Sequence, residues 1–431
     1  MSRSIAVIGA GASGIFAALS AKRAGGRVFL FERNEIIGKK LLVTGNGRCN
    51  FSNRALSDLQ GIRSGYPAGA FLAESVLSRF GLRETVKLFE ETGIIVYDKE
   101  GYLYPGSNHA SSVRDALELL LKREAVDVRT KIKVTGITPK GKGEGFLLTM
   151  CGDDGVMHTG EFDSCIMTCG GRAYPDTGSD GFGYKLCKRL EIPLVRPLPA
   201  LTKCMFEEDP LSLAAGVRCD CALTLMIDSK ISGRERGQLQ ILKDALSGIV
   251  VFQLSGRAVR AFEEGKKAVF ILDLYPDVPR EKFGTLLSER IRTLSGVRAG
   301  ELFTGMFVKP LSLALLDKAG INADKPAGEL NGDDINSLSD AVKAWEIRMS
   351  GHGSFSQCQV TGGGIELSAV DENLMIKKIP GLFAAGEMLD VDGICGGYNL
   401  QFAISSGIVA GEGAARIQET EYGKSEIQRN P

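Results

Sequence analysis

Residues 4–32, SIAVIGAGASGIFAALSAKRAGGRVFLFE, decide the fold. SIAVIG at 4–9 is a short apolar run of the kind that forms a buried parallel strand. Residues 12–25 follow with a helical stripe of Ile15, Ala18, Leu19 and Lys22, stopped by Gly25 and Gly26. VFLFE at 28–32 is the next strand. Such a β-α-β unit implies a parallel sheet with a right-handed crossover. Its turn reads Gly9-x-Gly11-x-x-Gly14, with Ala12 and Ser13 inside it. Gly9 permits the tight turn, Gly11 lets a pyrophosphate approach, and Gly14 lets helix and strand pack closely. The helix N-terminus favours the phosphate charge. Glu32 stands eighteen residues past Gly14, where a carboxylate takes both ribose hydroxyls and repels a 2′-phosphate, with Arg33 beside it.

Outward from this unit, helices are expected near 69–80, 82–93 and 109–124, with short strands around IIVY and YLYP. Strands follow near 126–135, 145–151 and 156–161. Residues 162–171, FDSCIMTCGG, form a buried strand whose end carries Thr168 and Gly170, and 178–191 read as a helix. Three prolines in IPLVRPLPALT at 192–202 mark a domain crossing. The middle of the chain mixes strands with helices at about 247–264, 280–295 and 335–347. The fold class expected is α/β: a Rossmann-type cofactor domain from 1–193 and 349–431, with 194–348 inserted as a β-rich substrate or cap domain with a helical part.

Two further motifs bear on chemistry. Lys40-Leu-Leu-Val-Thr44-Gly45-Asn-Gly47-Arg48-Cys49-Asn50 is a polar, Gly-rich loop just after the ribose-binding carboxylate. Its amides suit the edge of a flavin ring, and Arg48 suits a phosphate. Near the C-terminus, PGLFAAGEMLDVDGICGGYNLQFAISSGIVAG at 380–411 runs from a strand into Gly386-Glu387. A Gly396-Gly397 pair then precedes Tyr398-Asn399 and a helix of small residues. That helix points its positive end at a flat ligand, and reduced flavin carries negative charge on its pyrimidine edge.

The composition excludes several classes. Lysine plus arginine and aspartate plus glutamate are 52 each, a balance that argues against a nucleic-acid partner held by phosphate charge. No apolar run approaches the ~18 residues of a membrane span. The start MSRSIAVIG enters a strand without a signal-peptide pattern. The scattered cysteines read as reduced thiols in a cytoplasmic protein. His109, His158 and His352 show no metal spacing, so no metal is expected.

These segments together resemble the BaiN-like bacterial flavoproteins, also called the aminoacetone-oxidase-family FAD-binding enzymes. IAVIGAGASG, KLLVTGNGRCNFSN, CGGRAYPDTGSDGFGY, QVTGGG and GLFAAGEMLDVDGICGGYNLQFA carry the resemblance. It implies a FAD-binding Rossmann domain with a β-barrel-like insertion and a small helical subdomain. It also implies that Gly9, Gly11, Ser13, Gly14 and Glu32 hold the ADP half of FAD, and that Thr44, Gly45, Arg48, Cys49 and Asn50 lie along the pyrophosphate and ring. Val134 would meet the adenine. Gly386, Glu387, Asp390, Asp392, Tyr398, Asn399 and Leu400 would meet the ribityl chain and ring. The insertion departs from the family at residues 241–248, ILKDALSG, and the usual Gly-Asp-Gly-Tyr reads Gly181-Phe182-Gly183-Tyr184.

The function expected is that of a FAD-dependent oxidoreductase acting on a small molecule. The chain lacks a second strand-GxGxxG-helix unit, so NAD(P)H is expected to dock transiently. The resemblance implies either reduction of a conjugated C=C in a steroid or bile-acid-like enone, or oxidation of a small aminoacetone-like amine. A non-catalytic flavin-binding redox sensor is the competing class. The substrate is expected on an open flavin face toward the insertion. Arg48, Tyr174, His352 and Tyr398 are the candidate anchors or proton donors.

Overall fold

The computed structural model describes residues 2–417, apart from Lys142 and Glu208. They form two compact units, one from residues up to 197 together with those from 360, the other from 198–359. Residues 194–197 therefore pack with the first unit. Residues 349–359, His352 among them, pack with the second, although the sequence had suggested the Rossmann domain for them.

The first unit is centred on a five-stranded parallel sheet in the order Leu382–Ala384, Ser164–Met167, Ser4–Ile8, Arg27–Phe31, Asp127–Arg129. Val7 lies between Leu30 and Ile166, and Met167 pairs with Ala384. Residues 5–8, 28–31 and 165–167 read as unbroken apolar runs because both faces are covered, while the edge strand Asp127–Arg129 carries two exposed charged residues. Helix Ala12–Arg23 packs against the long helix Tyr398–Arg416, so the two ends of the chain share one core.

The strand expected over 126–135 is two strands. Asp127–Arg129 belongs to the parallel sheet, and Ile132–Pro139 opens a separate antiparallel sheet with Phe146–Gly152 and Met157–Phe162. Lys131 takes a left-handed φ of 59° between them. The helix expected at 178–191 begins only at Phe182, because Gly178 and Gly181 hold 174–181 in turns.

The second unit holds a closed six-stranded barrel of Cys204–Phe206, Ala245–Gly248, Lys230–Ile241, Arg218–Ile227, Ala268–Asp273 and Trp345–His352. Leu223, Leu225, Phe270, Leu272, Trp345 and Ile347 are buried in it. The helix expected over 335–347 is Gly332–Lys343, and Trp345 begins a strand. Its residues Trp345, Ile347 and Met349 are buried, while Glu346 and Arg348 alternate outward with period two. Helix Lys309–Lys318, with Pro310 in its first turn, was not anticipated. Among the described residues, no helix is long and apolar enough to cross a membrane.

Candidate functional site

The site is built where helix Ala12–Arg23 begins. Gly11 caps the helix without a side-chain hydrogen bond, and the first turn has no acidic residue. A methyl group placed on Gly11 would meet no atom within 4 Å. The orphan first-turn amides and the positive end of the dipole therefore face open space, which suits a phosphate. Gly14 has the opposite surroundings: a methyl group there would lie 1.8 Å from the Gly9 carbonyl. The hydroxyl of Thr168 donates toward the carbonyls of Ile8 (3.0 Å) and Gly9 (2.8 Å), pinning the turn to the neighbouring strand.

Glu32 is buried at the end of its strand. Its Oε2 accepts from the Ala10 amide at 2.8 Å, and its Oε1 accepts from the Asn34 amide and side chain at 2.9 and 2.7 Å. Asn34 also donates to the Thr177 carbonyl, while Arg33 pairs with Asp180 at 2.9 Å and reaches the Gly178 carbonyl. The turn 174–181 is thereby folded over the carboxylate's strand. In it, the buried hydroxyl of Ser179 has no protein partner. It lies 3.0 Å from where a methyl group on Gly170 would sit. Val134 is buried two residues beyond Ile132, whose amide bonds to the Glu32 carbonyl at 2.9 Å. An open helix terminus, a buried carboxylate and an orphaned hydroxyl fit the ADP half of FAD. Phosphate would sit at the amides, ribose at Glu32, and a further polar contact at Ser179.

The Lys40–Asn50 loop holds Gly45, Asn46, Gly47 and Cys49 at φ between 55° and 80°. Such a run of left-handed residues is kept only where the surroundings determine it. The Cys49 amide bonds to the Thr44 carbonyl (3.0 Å), Thr44 Oγ1 to the Leu41 carbonyl (2.6 Å), and Asn50 Nδ2 to the carbonyls of Ser52 and Leu103. Arg48, half-buried, rests over the Tyr104 ring with its guanidinium 5.4 Å from the centroid. Burial pushes the Cys49 thiol up to about 12, which leaves it a protonated, inert packing group.

The C-terminal motif meets these elements directly. Gly386, at φ 69°, sits against Ser13. Glu387 is held by the protein: Lys40 Nζ is 2.6 Å from Oε2, the Thr361 amide 2.7 Å from Oε1, and the Gly171 amide 3.3 Å from Oε2. Its carboxylate thus joins the Lys40 loop to the Gly170-Gly171 strand end. The Asp390 amide bonds to the Ile365 carbonyl, and buried Asp392 bridges to Ala68. Gly397 starts the last helix at φ 95°, and Leu400 packs against the core. Asn399 clamps the preceding loop, accepting from the Gly393 amide (2.8 Å) and donating to its carbonyl (2.7 Å). Tyr398 is buried edge-on to Tyr66, and burial raises its phenol.

Tyr174 is half-buried at φ 56°, three residues from Gly171. His352, another of the proton-donor candidates, lies in the second unit, with Nδ1 2.9 Å from the Gly353 carbonyl and Nε2 3.1 Å from Glu263 Oε1. Sequence reasoning missed Ser179, Thr361 and Gln401. Gln401 carried a signal, since a long polar amide amid the apolar residues Leu400, Phe402 and Ile404 must be satisfied within the core.

The fold and this site define a dinucleotide-dependent protein of Rossmann type. The profile of the HI0933-like protein Rossmann domain family matches residues 3–413. A 3-dehydro-bile acid delta(4,6)-reductase of Clostridium scindens is 35% identical over 414 residues, covering 95% of this chain and 98% of that one. A ribosomal RNA dihydrouridine synthase of Escherichia coli is 29% identical over 415 residues, covering 93% and 95%. Among solved structures, a 3-ketosteroid-delta4-(5alpha)-dehydrogenase from Rhodococcus jostii shares the fold, with a TM-score of 0.51, 15% identity and coverage of 96% and 97%. The chain belongs to the HI0933-like Rossmann family, and its full-length likeness to the bile-acid reductase supports the resemblance to the BaiN-like flavoproteins.

Proposed function

We propose that this protein uses FAD to reduce a C=C bond conjugated to a carbonyl in a small steroid-like substrate, with NAD(P)H as a transient electron donor. The observation that carries the reading is the whole-length likeness to the bile-acid reductase, joined to a site with its ADP cradle and its C-terminal glycine pair in one unit. Bound FAD would supply the hydride. The chain's own residues hold and orient it: the first-turn amides and Glu32 at one end, and the N-terminus of helix Tyr398–Arg416 at the other. Glu387 and Lys40 tie these parts together.

Hydride addition to the β-carbon of an enone leaves an enolate that needs a proton at the α-carbon. We assign that proton to Tyr174 and an anion-anchoring role to Arg48. The test is Tyr174→Phe in two half-reactions. Flavin bleaching by NAD(P)H should keep its rate while enone turnover falls ~100-fold, the lower end for loss of a general acid. Equal loss of both half-reactions, or of neither, rejects the assignment.

A second reading is reduction of the C5=C6 bond of a uridine in RNA, which the likeness to the dihydrouridine synthases favours. Uridine presents the same conjugated arrangement. The balance of 52 basic and 52 acidic residues weighs against a polyanionic substrate. Offering reduced enzyme a uridine-rich RNA or a steroid enone, and oxidised enzyme aminoacetone with oxygen as the final acceptor, separates the three chemistries. Failure of all three as partners would leave the redox-sensor reading. We place the protein in the cytoplasm, where buried thiols such as Cys49 and Cys165 stay reduced.

A further inference from the structure

The first unit contains a closed polar network with no part in the ADP cradle. Ser52, Thr85, Gln401 and Ser405 are all fully buried. The Ser52 hydroxyl donates to Gln401 Oε1 at 2.6 Å, and Gln401 Nε2 donates to Thr85 Oγ1 at 2.7 Å and to Ser405 Oγ at 2.9 Å. Four buried polar side chains in an apolar core are costly unless they satisfy one another. Three separate elements supply them: the short strand Ser52–Asn53, the helix Leu82–Glu91, and the first turns of helix Tyr398–Arg416.

Ser52 follows the Lys40–Asn50 loop by two residues, and Asn50 bonds to its carbonyl at 3.1 Å. It meets the last helix twice. A methyl group on Gly397 would lie 2.4 Å from the Ser52 carbonyl, and one turn onward Gln401 takes the Ser52 hydroxyl. The neighbouring Asn53 Nδ2 donates to the Gly396 carbonyl at 3.1 Å. Two contacts one turn apart fix both the height and the rotation of a helix. We infer that Gln401 is a positioning residue: it sets the register of the last helix's N-terminus against the Thr44–Asn50 loop, and so tunes how readily the flavin accepts electrons. The inference rests on the reading that this terminus faces the flavin.

The experiment measures the midpoint potential and visible spectrum of the flavin in holoprotein carrying Gln401→Met, Thr85→Val or Thr85→Ser. Met and Val keep the volume and remove the hydrogen bonds, whereas Ser keeps the hydroxyl. Loosening the positive helix end should disfavour the reduced form. The expected result is an oxidised-to-reduced ratio raised ~10-fold in Gln401→Met, about 30 mV for a two-electron couple. A smaller shift is expected in Thr85→Val, and wild-type behaviour in Thr85→Ser. If Gln401→Met does not fold, the Thr85 pair decides alone. Variants that melt earlier but keep the wild-type potential and spectrum would overturn the inference, since the network would then be packing only. A wild-type protein that takes up no flavin would instead overturn the reading beneath it.

Discussion

Gly386 is packed against Ser13 so closely that a methyl group on its α-carbon would lie 2.5 Å from the Ser13 hydroxyl. One residue opens the C-terminal motif and the other lies in the first turn of the first helix, 373 positions earlier. Gly386 also holds φ at 69° and donates its amide to Ser406 Oγ at 2.9 Å. Gly386→Ala combines a left-handed backbone, about 1–2 kcal/mol for a residue with a Cβ, with a clash on the cofactor turn. The variant should melt earlier and lose flavin on gel filtration. Wild-type flavin content in a fully folded Gly386→Ala protein would refute the close coupling of the two motifs.

Glu32 links the cradle to the fold, because its two oxygens accept from Ala10 and Asn34. Glu32→Ala removes charge-assisted contacts worth on the order of 2–3 kcal/mol, which corresponds to roughly a 30- to 150-fold weaker FAD dissociation constant. It also strands two amides, so the apoprotein should melt at a lower temperature as well. Fluorescence titration with FAD measures the first effect, and unchanged affinity would remove Glu32 from the site.

Much of this architecture was legible beforehand, for identifiable reasons. The glycine spacing at 9–14 and the strand-like runs read at 4–9 and 28–32 are local signals, and the structure places the two strands at Ser4–Ile8 and Arg27–Phe31. The split at Lys131 was not legible, because nothing in the residue type announces a left-handed lysine. Helix 332–343 was read through to 347 because Leu338, Ala341, Val342 and Trp345 continue a three-to-four spacing. Only the alternation from Trp345 to Met349 marks a strand. The Glu387 motif was recognisable, but its bonds to Lys40, Thr361 and Gly171 come from segments far away in sequence. The orphaned Ser179 hydroxyl is likewise visible only in three dimensions.

Helix Tyr398–Arg416 crosses helix Ala12–Arg23 through small residues. A methyl group on Gly407 would lie 2.3 Å from the Ser13 carbonyl, and one on Gly411 would lie 2.3 Å from the Ala17 carbonyl. Gly407→Ala should therefore force the helices apart and cost about 1–3 kcal/mol, as overpacking does. Chemical denaturation measures this. A midpoint equal to or above wild type would show that the contact has slack.

Burial pushes the thiols of Cys49, Cys169 and Cys187 up to about 12. Above the ordinary thiol value of 9.0, these groups ionise in the unfolded chain while the native protein keeps them protonated. The unfolded state then binds fewer protons, so stability is full below pH 9 and falls as pH rises toward 12. Each such thiol adds at most about 1.4 kcal/mol per pH unit to the decline. Cys49→Ala should flatten the alkaline slope of the unfolding free energy. An identical slope would mean that Cys49 is not shielded in solution.

Flavin held between the first and last motifs should pass hydride to a conjugated C=C, which an anaerobic double-mixing experiment on purified holoprotein measures. The first mix, with NADH or NADPH, should bleach the yellow flavin absorbance. The second, with a steroid 4-en-3-one, should restore it and yield one equivalent of the saturated ketone per flavin. A protein that binds no flavin, a flavin that NAD(P)H leaves oxidised, or a reduced flavin that only oxygen recolours would contradict the account.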